Sequence, residues 1–379
     1  MRVGIMSMQR VVNYGSFLQA YSLKKNIEQL GHTVSFVDYH PGQVLVSQEE
    51  VTEKKSIREK VMGKIERRLI YPTMISEKER LESEEKTREI RRNFDKYLRQ
   101  LDITEAKNYD PDIDALVIGS DEVFNCLQTS PDVGYSKDLF GQNTRAGKIL
   151  TFAASFGNTT QKGLTEYGIA GEIGTYLKRF DALSVRDKNS KEIVEGYGLN
   201  AEEHLDPVFL YDYQKEMENI ETDKGGYIVV YSYSRRLSKE ECRYILKFAH
   251  SVHKKVICLC GWQKYLRGYD IPGPFQVLSI IKNADYVITD TFHGAVFSIK
   301  FNRPFATFIR EGYGATYGNS EKLADLLKRL HLESRIVTSG AQLSEILKQQ
   351  PDFSDANRII QENRERALTY LNRNLQENV

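Results

Sequence analysis

The sequence has no long apolar segment, almost no net charge and few cysteines. No run of about 18 apolar residues occurs, so we expect no helix that spans a membrane. The 53 basic and 52 acidic side chains nearly cancel, which argues against a nucleic-acid partner because nucleic-acid binders usually carry a basic excess. The four cysteines have no repeated spacing, and no signal-peptide pattern precedes Val3, so we expect reduced thiols in a cytoplasmic protein.

Common catalytic and ligand-binding signatures are also missing. The sequence has no Walker loop, no His-Glu-x-x-His motif, no Cys-x-x-Cys pair and no Gly-x-Ser-x-Gly nucleophile elbow. Cys258 and Cys260 face the same side of a predicted strand, but no second pair of ligands accompanies them. We therefore interpret both thiols as core residues and predict no metal site.

Short apolar strands alternate with amphipathic helices, which predicts an α/β fold with parallel sheets. Two such regions are separated by a polar stretch over residues 211–226. We predict an N-terminal domain over residues 1–210 and a C-terminal domain over residues 222–350, with a ligand cleft between them. A long polar helix over residues 352–379 is expected to pack back across both domains.

Residues 49–100 interrupt this pattern with a highly charged segment. From Glu49 to Arg99, 27 of 51 residues are charged, and apolar residues recur every four positions on either side of Tyr71-Pro72. The mixed signs favour a solvated insertion of two amphipathic helices over a disordered segment or an RNA-binding arm. The pattern leaves open whether the insertion is also a lid or a dimerisation hairpin.

Polar turns follow three of the predicted strands in the N-terminal domain. They are Gly119-Ser120-Asp121, Ser155-Phe156-Gly157 and Arg186-Asp187. Because ligands of open parallel sheets bind beyond the carboxyl ends of the strands, we expect these turns to converge on one crevice. A guanidinium at Arg186 could grip a phosphate there, or it could simply form an ion pair with Asp187 or Asp206.

Two predicted helix N-termini could also bind an anion. The strand at residues 286–289 ends in Thr289-Asp290-Thr291, and His293 begins the next helix. Free backbone N–H groups at that point suit a phosphate or carboxylate, and an imidazole could transfer a proton. The first βα turn, Asn13-Tyr14-Gly15-Ser16, opens toward the same edge of its own sheet. Plain helix capping explains the small polar residues of both turns equally well.

Taken together, these segments resemble the polysaccharide pyruvyl transferase family over nearly the whole chain. The motifs that carry the resemblance occur in the right order: Asn13-Tyr14-Gly15 with Leu18-Gln19-Ala20-Tyr21, Gly119-Ser120-Asp121-Glu122-Val123-Phe124, Ser155-Phe156-Gly157, Ser184-Val185-Arg186-Asp187, Asp206-Pro207-Val208 and Thr289-Asp290-Thr291-Phe292-His293-Gly294. The resemblance implies a fold like that of GT-B glycosyltransferases, with two Rossmann-like domains facing a cleft. It also implies transfer of pyruvate from phosphoenolpyruvate to a sugar of a surface polysaccharide, usually as a cyclic ketal.

The resemblance implies residue roles and partners as well. Arg186 and His293 would bind phosphoenolpyruvate, and we assign proton transfer to His293 because it lies beside the predicted anion site. The expected substrate-binding residues are Asn13, Gly15, Ser16, Ser120, Asp121, Ser155, Thr291, Phe292, Gly294, Asn319 and Ser320. No cofactor is expected besides the donor. The sugar acceptor would sit on a lipid or nucleotide carrier at the inner face of the membrane, and peripheral membrane association and homodimerisation stay open.

The chain departs from the family pattern at three positions. Thr291 stands where typical members have an arginine, Glu321 follows Asn319-Ser320 where many relatives have an arginine, and Phe124 replaces a tryptophan. One expected cation is therefore missing from the donor site. The candidates to replace it are Lys282, Lys300, Arg303, Arg310 and Lys322, and spacing does not choose among them.

Two other functions stay compatible with the sequence, since a fold does not determine a function. A nucleotide-sugar glycosyltransferase on the same fold would need an acidic residue that reaches the ribose, and the sequence offers no clear candidate. A non-catalytic subunit that binds a glycan or phosphate would bind the anion without turnover.

Overall fold

The computed structural model describes residues 1–46, 75–310 and 320–376, and these contain two main parallel β-sheets flanked by helices and one two-stranded parallel pair. In the N-terminal half, residues 1–210, the strands are β1 (Arg2–Met6), β2 (Thr33–Phe36), β3 (Ala115–Ile118), β4 (Lys148–Thr151), β5 (Ser184–Val185) and β6 (Glu202–Glu203). The main sheet has the order β2-β1-β3-β4, and β5 and β6 pair beside it. The helices of this half are α1 (Tyr14–Gln29), α2 (Glu77–Leu98), α3 (Gln161–Glu166), α4 (Ala170–Leu177) and α5 (Lys188–Gly196).

The rest of the described chain, from residue 211 onward, forms the C-terminal half and a terminal helix. Its strands are β7 (Tyr227–Ser232), β8 (Lys255–Cys260), β9 (Tyr286–Thr289), β10 (Phe305–Phe308) and β11 (Ile336–Val337). They lie in the order β11-β10-β9-β7-β8, all parallel. The helices are α6 (Gln214–Met217), α7 (Lys239–Ser251), α8 (Pro274–Asn283), α9 (Phe292–Lys300), α10 (Ser320–Arg329), α11 (Leu343–Lys348) and α12 (Ser354–Asn374). Two parallel sheets covered by helices confirm the predicted fold class.

One hydrophobic core runs through both halves. It contains side chains of β1 and α1 from the N-terminal half and of β7, α8 and α9 from the C-terminal half. At the boundary, the ring of Phe275 on α8 lies 5.9 Å from that of Phe17 and 4.9 Å from that of Tyr21, both on α1. Burial of these aromatic surfaces holds the two sheets together.

Helix α2 is the described part of the charged insertion. Ser76 and Glu79 form a capping box at its start, and most of its charged side chains are exposed, as predicted for a solvated helix. Phe94 and Leu98 at its end are buried in the shared core. The other predicted helix of the insertion, before the break at Tyr71-Pro72, lies outside the described residues.

Helix α12 packs against the N-terminal half. The Tyr370 hydroxyl donates to the Thr151 carbonyl at 2.9 Å, and the Asn363 side chain accepts from the Leu205 amide at 2.9 Å. Ala367 and Leu371 are buried. Across the described ranges, the helices are all too short or too polar to cross a membrane.

Candidate active site

The polar turns after β3, β4 and β5 meet at one edge of the N-terminal sheet. The Ser155 amide donates to the Asp121 carbonyl at 3.0 Å, and the Arg186 amide donates to the Ala154 carbonyl at 3.0 Å. The Ser155 hydroxyl donates to Asp187 Oδ2 at 2.5 Å. The structure therefore brings the three turns together as the sequence predicts, because parallel strands end at the same edge.

Arg186 and His293 meet at the carboxylate of Asp206. Arg186 Nη1 donates to Asp206 Oδ2 at 2.8 Å, and His293 Nε2 lies 3.4 Å from the same oxygen, without the angle of a hydrogen bond. Asp206 is fully buried. The ion pair to Asp206 that the sequence offered as an alternative is thus present, and it orients the guanidinium rather than removing it from the cleft.

Part of the Arg186 guanidinium has no hydrogen-bond partner among the described residues. Its Nε and Nη2 atoms are buried and unsatisfied, although Nη2 lies 3.6 Å from Asp121 Oδ1. The guanidinium also lies over the ring of Phe292, 4.4 Å from its centroid. Buried donors without partners are costly, and the two nitrogens on this side of Arg186 could both donate to one oxyanion.

The carboxylates of Asp206 and Asp121 stay ionised beside these basic side chains. Burial acts to raise the pKa of Asp206, but the close approach and charge of His293 and the charge of Arg186 outweigh it, and the pKa falls below its usual range. The pKa of Asp121 is also lowered, because Arg186 and His293 overcome the effect of burial. Negative charge on both residues fixes the cations in place.

His293 lies in the first turn of α9, pressed against the start of α1. Thr291 caps α9 by accepting from the Gly294 amide at 3.0 Å, so the capping interpretation is confirmed. A Cβ atom built on Gly15 would lie 2.1 Å from His293 Nδ1, which means that the imidazole packs directly on this glycine. Gly15 therefore fixes the position of a residue that comes from the other half of the protein.

We expect the Gly15→Ala variant to lower kcat/KM by about 10- to 100-fold, because a displacement of the imidazole by about 1 Å is enough for such a loss. Gly171→Ala is a matched control, since a Cβ there meets nothing within 4 Å. Steady-state kinetics and thermal melting of both variants would separate the effect on activity from overpacking. Equal activity of the two variants would contradict this role of Gly15.

Asn13 and Ser16 complete the wall formed by α1. Asn13 Oδ1 caps the helix, and Asn13 Nδ2 donates to the Tyr233 hydroxyl at 3.1 Å across the two halves. The Ser16 hydroxyl donates to Asp121 Oδ2 at 2.6 Å. Together these side chains border a cavity of about 140 Å³, which is lined by Met8, Val11, Asn13, Ser16, Asp121, Glu122, Gln128, Ser130, Val133, Arg186, Tyr233, Phe292, His293 and Lys322.

The predicted site residues divide into three groups. Those that line the cavity are Asn13, Ser16, Asp121, Arg186, Phe292 and His293. Those that lie beneath or beside it are Gly15, Ser120, Ser155, Thr291 and Gly294; Ser155, for example, is fully buried and bonded to Asp187. Asn319 lies outside the described residues, and only the backbone of Ser320 is described.

Sequence reasoning missed the importance of three residues that line the cavity or contact its predicted catalytic residues. Asp206 figured only as a motif residue and a partner for Arg186, yet it contacts both predicted catalytic residues. Tyr233 directly follows β7, and the rule that ligands lie beyond the carboxyl ends of strands could have found it. Glu122 belongs to the Gly-Ser-Asp-Glu motif, but the sequence alone assigns it no role. Within the described ranges, no group of three or more His, Cys, Asp or Glu residues could hold a metal ion.

A sequence model of the family described as polysaccharide pyruvyl transferase matches residues 13–311, well over half of the 379 residues. No curated protein matches the sequence. Similar solved structures include the UDP-N-acetylglucosamine 2-epimerase from Rickettsia bellii (11% identity, 99% of each chain, TM-score 0.48). The E. coli heptosyltransferase WaaC is similar at 14% identity over 96% of this chain and 100% of its own, with a TM-score of 0.38. Neither likeness is close enough to bear on chemistry.

Proposed function

The chain belongs to the polysaccharide pyruvyl transferase family, and from this premise we propose that it transfers pyruvate from phosphoenolpyruvate to a sugar as a ketal. The acceptor in this proposal is a glycan precursor on a lipid or nucleotide carrier at the cytoplasmic face of the membrane. The observation that carries the proposal is the Arg186 guanidinium, which lines a small cavity together with His293 and has two buried nitrogens without a hydrogen-bond partner among the described residues.

The small size of the cavity and the basic side chains that line it support a small, multiply charged donor. Its volume of about 140 Å³ is below the ~300–1,000 Å³ of sites that enclose drug-sized ligands. Phosphoenolpyruvate has a phosphate and a carboxylate on a three-carbon frame. Arg186 can bind one of these groups through paired hydrogen bonds, which is the geometry that guanidinium and oxyanions share.

The proposed reaction needs proton transfers and an excluded solvent. His293 protonates the methylene carbon of the donor, which leaves the central carbon cationic, and a sugar hydroxyl attacks that carbon and loses its proton. The C–O bond to phosphate then breaks, inorganic phosphate departs, and a second hydroxyl closes the ketal with loss of its proton. Arg186 holds the anion through these steps, and Asp206 orients both Arg186 and His293.

A thermal-shift panel tests the donor. At a ligand concentration about 100-fold above Kd, linkage predicts about 2.7 kcal/mol of stabilisation, which corresponds to a rise in Tm of about 3 °C for a chain of this length. We expect this rise with phosphoenolpyruvate and no comparable rise with nucleotide sugars. Stabilisation by a nucleotide sugar alone would replace the proposal with a glycosyltransferase on the same fold.

A further inference from the structure

Glu122 and Lys322 form an ion pair across the cavity, one from each half of the protein. Glu122 lies in the turn after β3, Lys322 lies in the first turns of α10, and both side chains line the cavity. Only 6% of the Lys322 side chain and 16% of the Glu122 side chain is exposed. An ion pair this sheltered is held at the site itself rather than on the protein surface.

Lys322 and Arg186 both lie near the ring of Phe292, and both line the cavity. Lys322 Nζ lies 5.9 Å from the centroid of the Phe292 ring, and the Arg186 guanidinium lies 4.4 Å from that centroid. Together with His293, these are the basic side chains among the described residues that line the cavity. A single anion between them could therefore contact both a guanidinium and an ammonium.

The other basic residues that could replace the missing arginine lie outside the cavity. Lys300 Nζ donates to the Tyr211 carbonyl, and Arg303 Nε donates to the Phe301 carbonyl at 3.1 Å. Arg310 binds Glu241 at 2.7 Å and Asp290 at 3.2 Å. Lys282 is exposed on α8. None of these four lines the cavity described above.

Charge balance shows what Lys322 adds. Arg186 already faces the carboxylates of Asp206 and Asp121, so it alone cannot balance a donor that carries a carboxylate and a phosphate. Glu122 has a second partner, because its Oε2 accepts from Asn125 Nδ2 at 2.7 Å. Glu122 therefore keeps a hydrogen bond when Lys322 turns to another anion.

We propose that Lys322 is the second cation of the donor site and that Glu122 is its counter-ion only while the site is empty. The donor anion takes the place of Glu122 at the ammonium, so one ion pair replaces another and no covalent bond is made or broken. The inference rests on the proposed function for the identity of the donor. In this exchange Glu122 weakens donor binding, since Glu122 and the donor compete for one ammonium.

Titration calorimetry with phosphoenolpyruvate and, separately, with inorganic phosphate tests this exchange. Lys322→Met should weaken binding of phosphoenolpyruvate by about 10-fold or more, the loss typical of a hydrogen bond to a charged group. Lys322→Arg should stay within a few-fold of the wild type, and Glu122→Gln should bind several-fold more tightly, because it no longer competes for the ammonium. Lys282→Met, the exposed control, should bind like the wild type.

The outcomes separate this inference from the proposed function. Wild-type affinity in a folded Lys322→Met protein, or weaker binding in Glu122→Gln, would overturn the exchange while leaving the donor intact. If the wild type binds phosphate but not phosphoenolpyruvate, and Lys322→Met loses phosphate, the exchange stands and the donor is wrong. Failure of the wild type to bind either anion would overturn both. If Lys322→Met does not fold, the tighter binding expected for Glu122→Gln, beside the nearly unchanged binding expected for Lys322→Arg, still decides the matter.

Discussion

Replacing Arg186 with alanine is expected to lower kcat/KM for phosphoenolpyruvate by about 1,000-fold or more. The variant loses the paired donors that would hold the anion, and removal of a single donor to a developing charge already costs about 100- to 1,000-fold. Steady-state release of phosphate measures the effect. The expected loss lies in both KM and kcat, because the guanidinium contacts the donor before and during bond breaking.

The same change should also destabilise the protein. Asp206 is fully buried and would lose its ion pair with Arg186, and an uncompensated buried charge costs about 3–5 kcal/mol. Arg186→Lys serves as the folded comparison, since it keeps a positive charge between the carboxylates but cannot present two parallel donors. Activity of Arg186→Lys close to that of the wild type would show that paired donation is unnecessary and would weaken the proposed mode of binding.

Substitution of His293 with alanine is expected to reduce kcat by about 100- to 10,000-fold, the range typical of a group that transfers protons. Donor affinity should change by only a few-fold, because Arg186 and Lys322 still line the cavity. Phosphate release gives kcat, and calorimetry gives the affinity of the same preparation. A large loss of kcat with nearly unchanged donor affinity distinguishes a proton-transfer group from a binding group.

A second histidine provides the control for this experiment. His250 is exposed on α7 and lies outside the cavity, so His250→Ala should keep wild-type turnover. Unchanged turnover by a folded His293→Ala protein would rule out the proposed proton transfer. A loss of donor affinity equal to the loss of kcat would instead assign His293 to binding.

Much of the fold follows from local pattern in the sequence. Strands β7, β9 and β10 begin and end where their apolar runs do, since a strand buried on both faces of a parallel sheet is apolar at nearly every position. Strand β5 is shorter than the apolar run over residues 182–185, because Ala182 joins the sheet through an isolated bridge before the ladder begins. Pairing of that kind depends on neighbours that the local sequence does not contain.

The site was less accessible to sequence reasoning than the fold. Capping and a place at the cavity are not alternatives in this turn, because Thr291 caps α9 while the next two residues line the cavity. The pairing of Glu122 with Lys322 joins positions 200 residues apart, and periodicity carries no information about such contacts. The place of Arg186 at the cavity could be predicted from its position directly after a strand, because topology alone brings such a residue to the sheet edge.

One hydrophobic core joins the two halves of the protein, and this limits how far they can separate to admit a ligand. Many two-lobed enzymes capture ligands by a wide hinge motion, but here such a motion would expose the rings of Phe17, Tyr21 and Phe275 to water at considerable cost in free energy. We therefore expect the cavity residues of the two halves to stay aligned, and we expect ligands to enter through the existing opening of the cavity rather than by a wide separation of the halves.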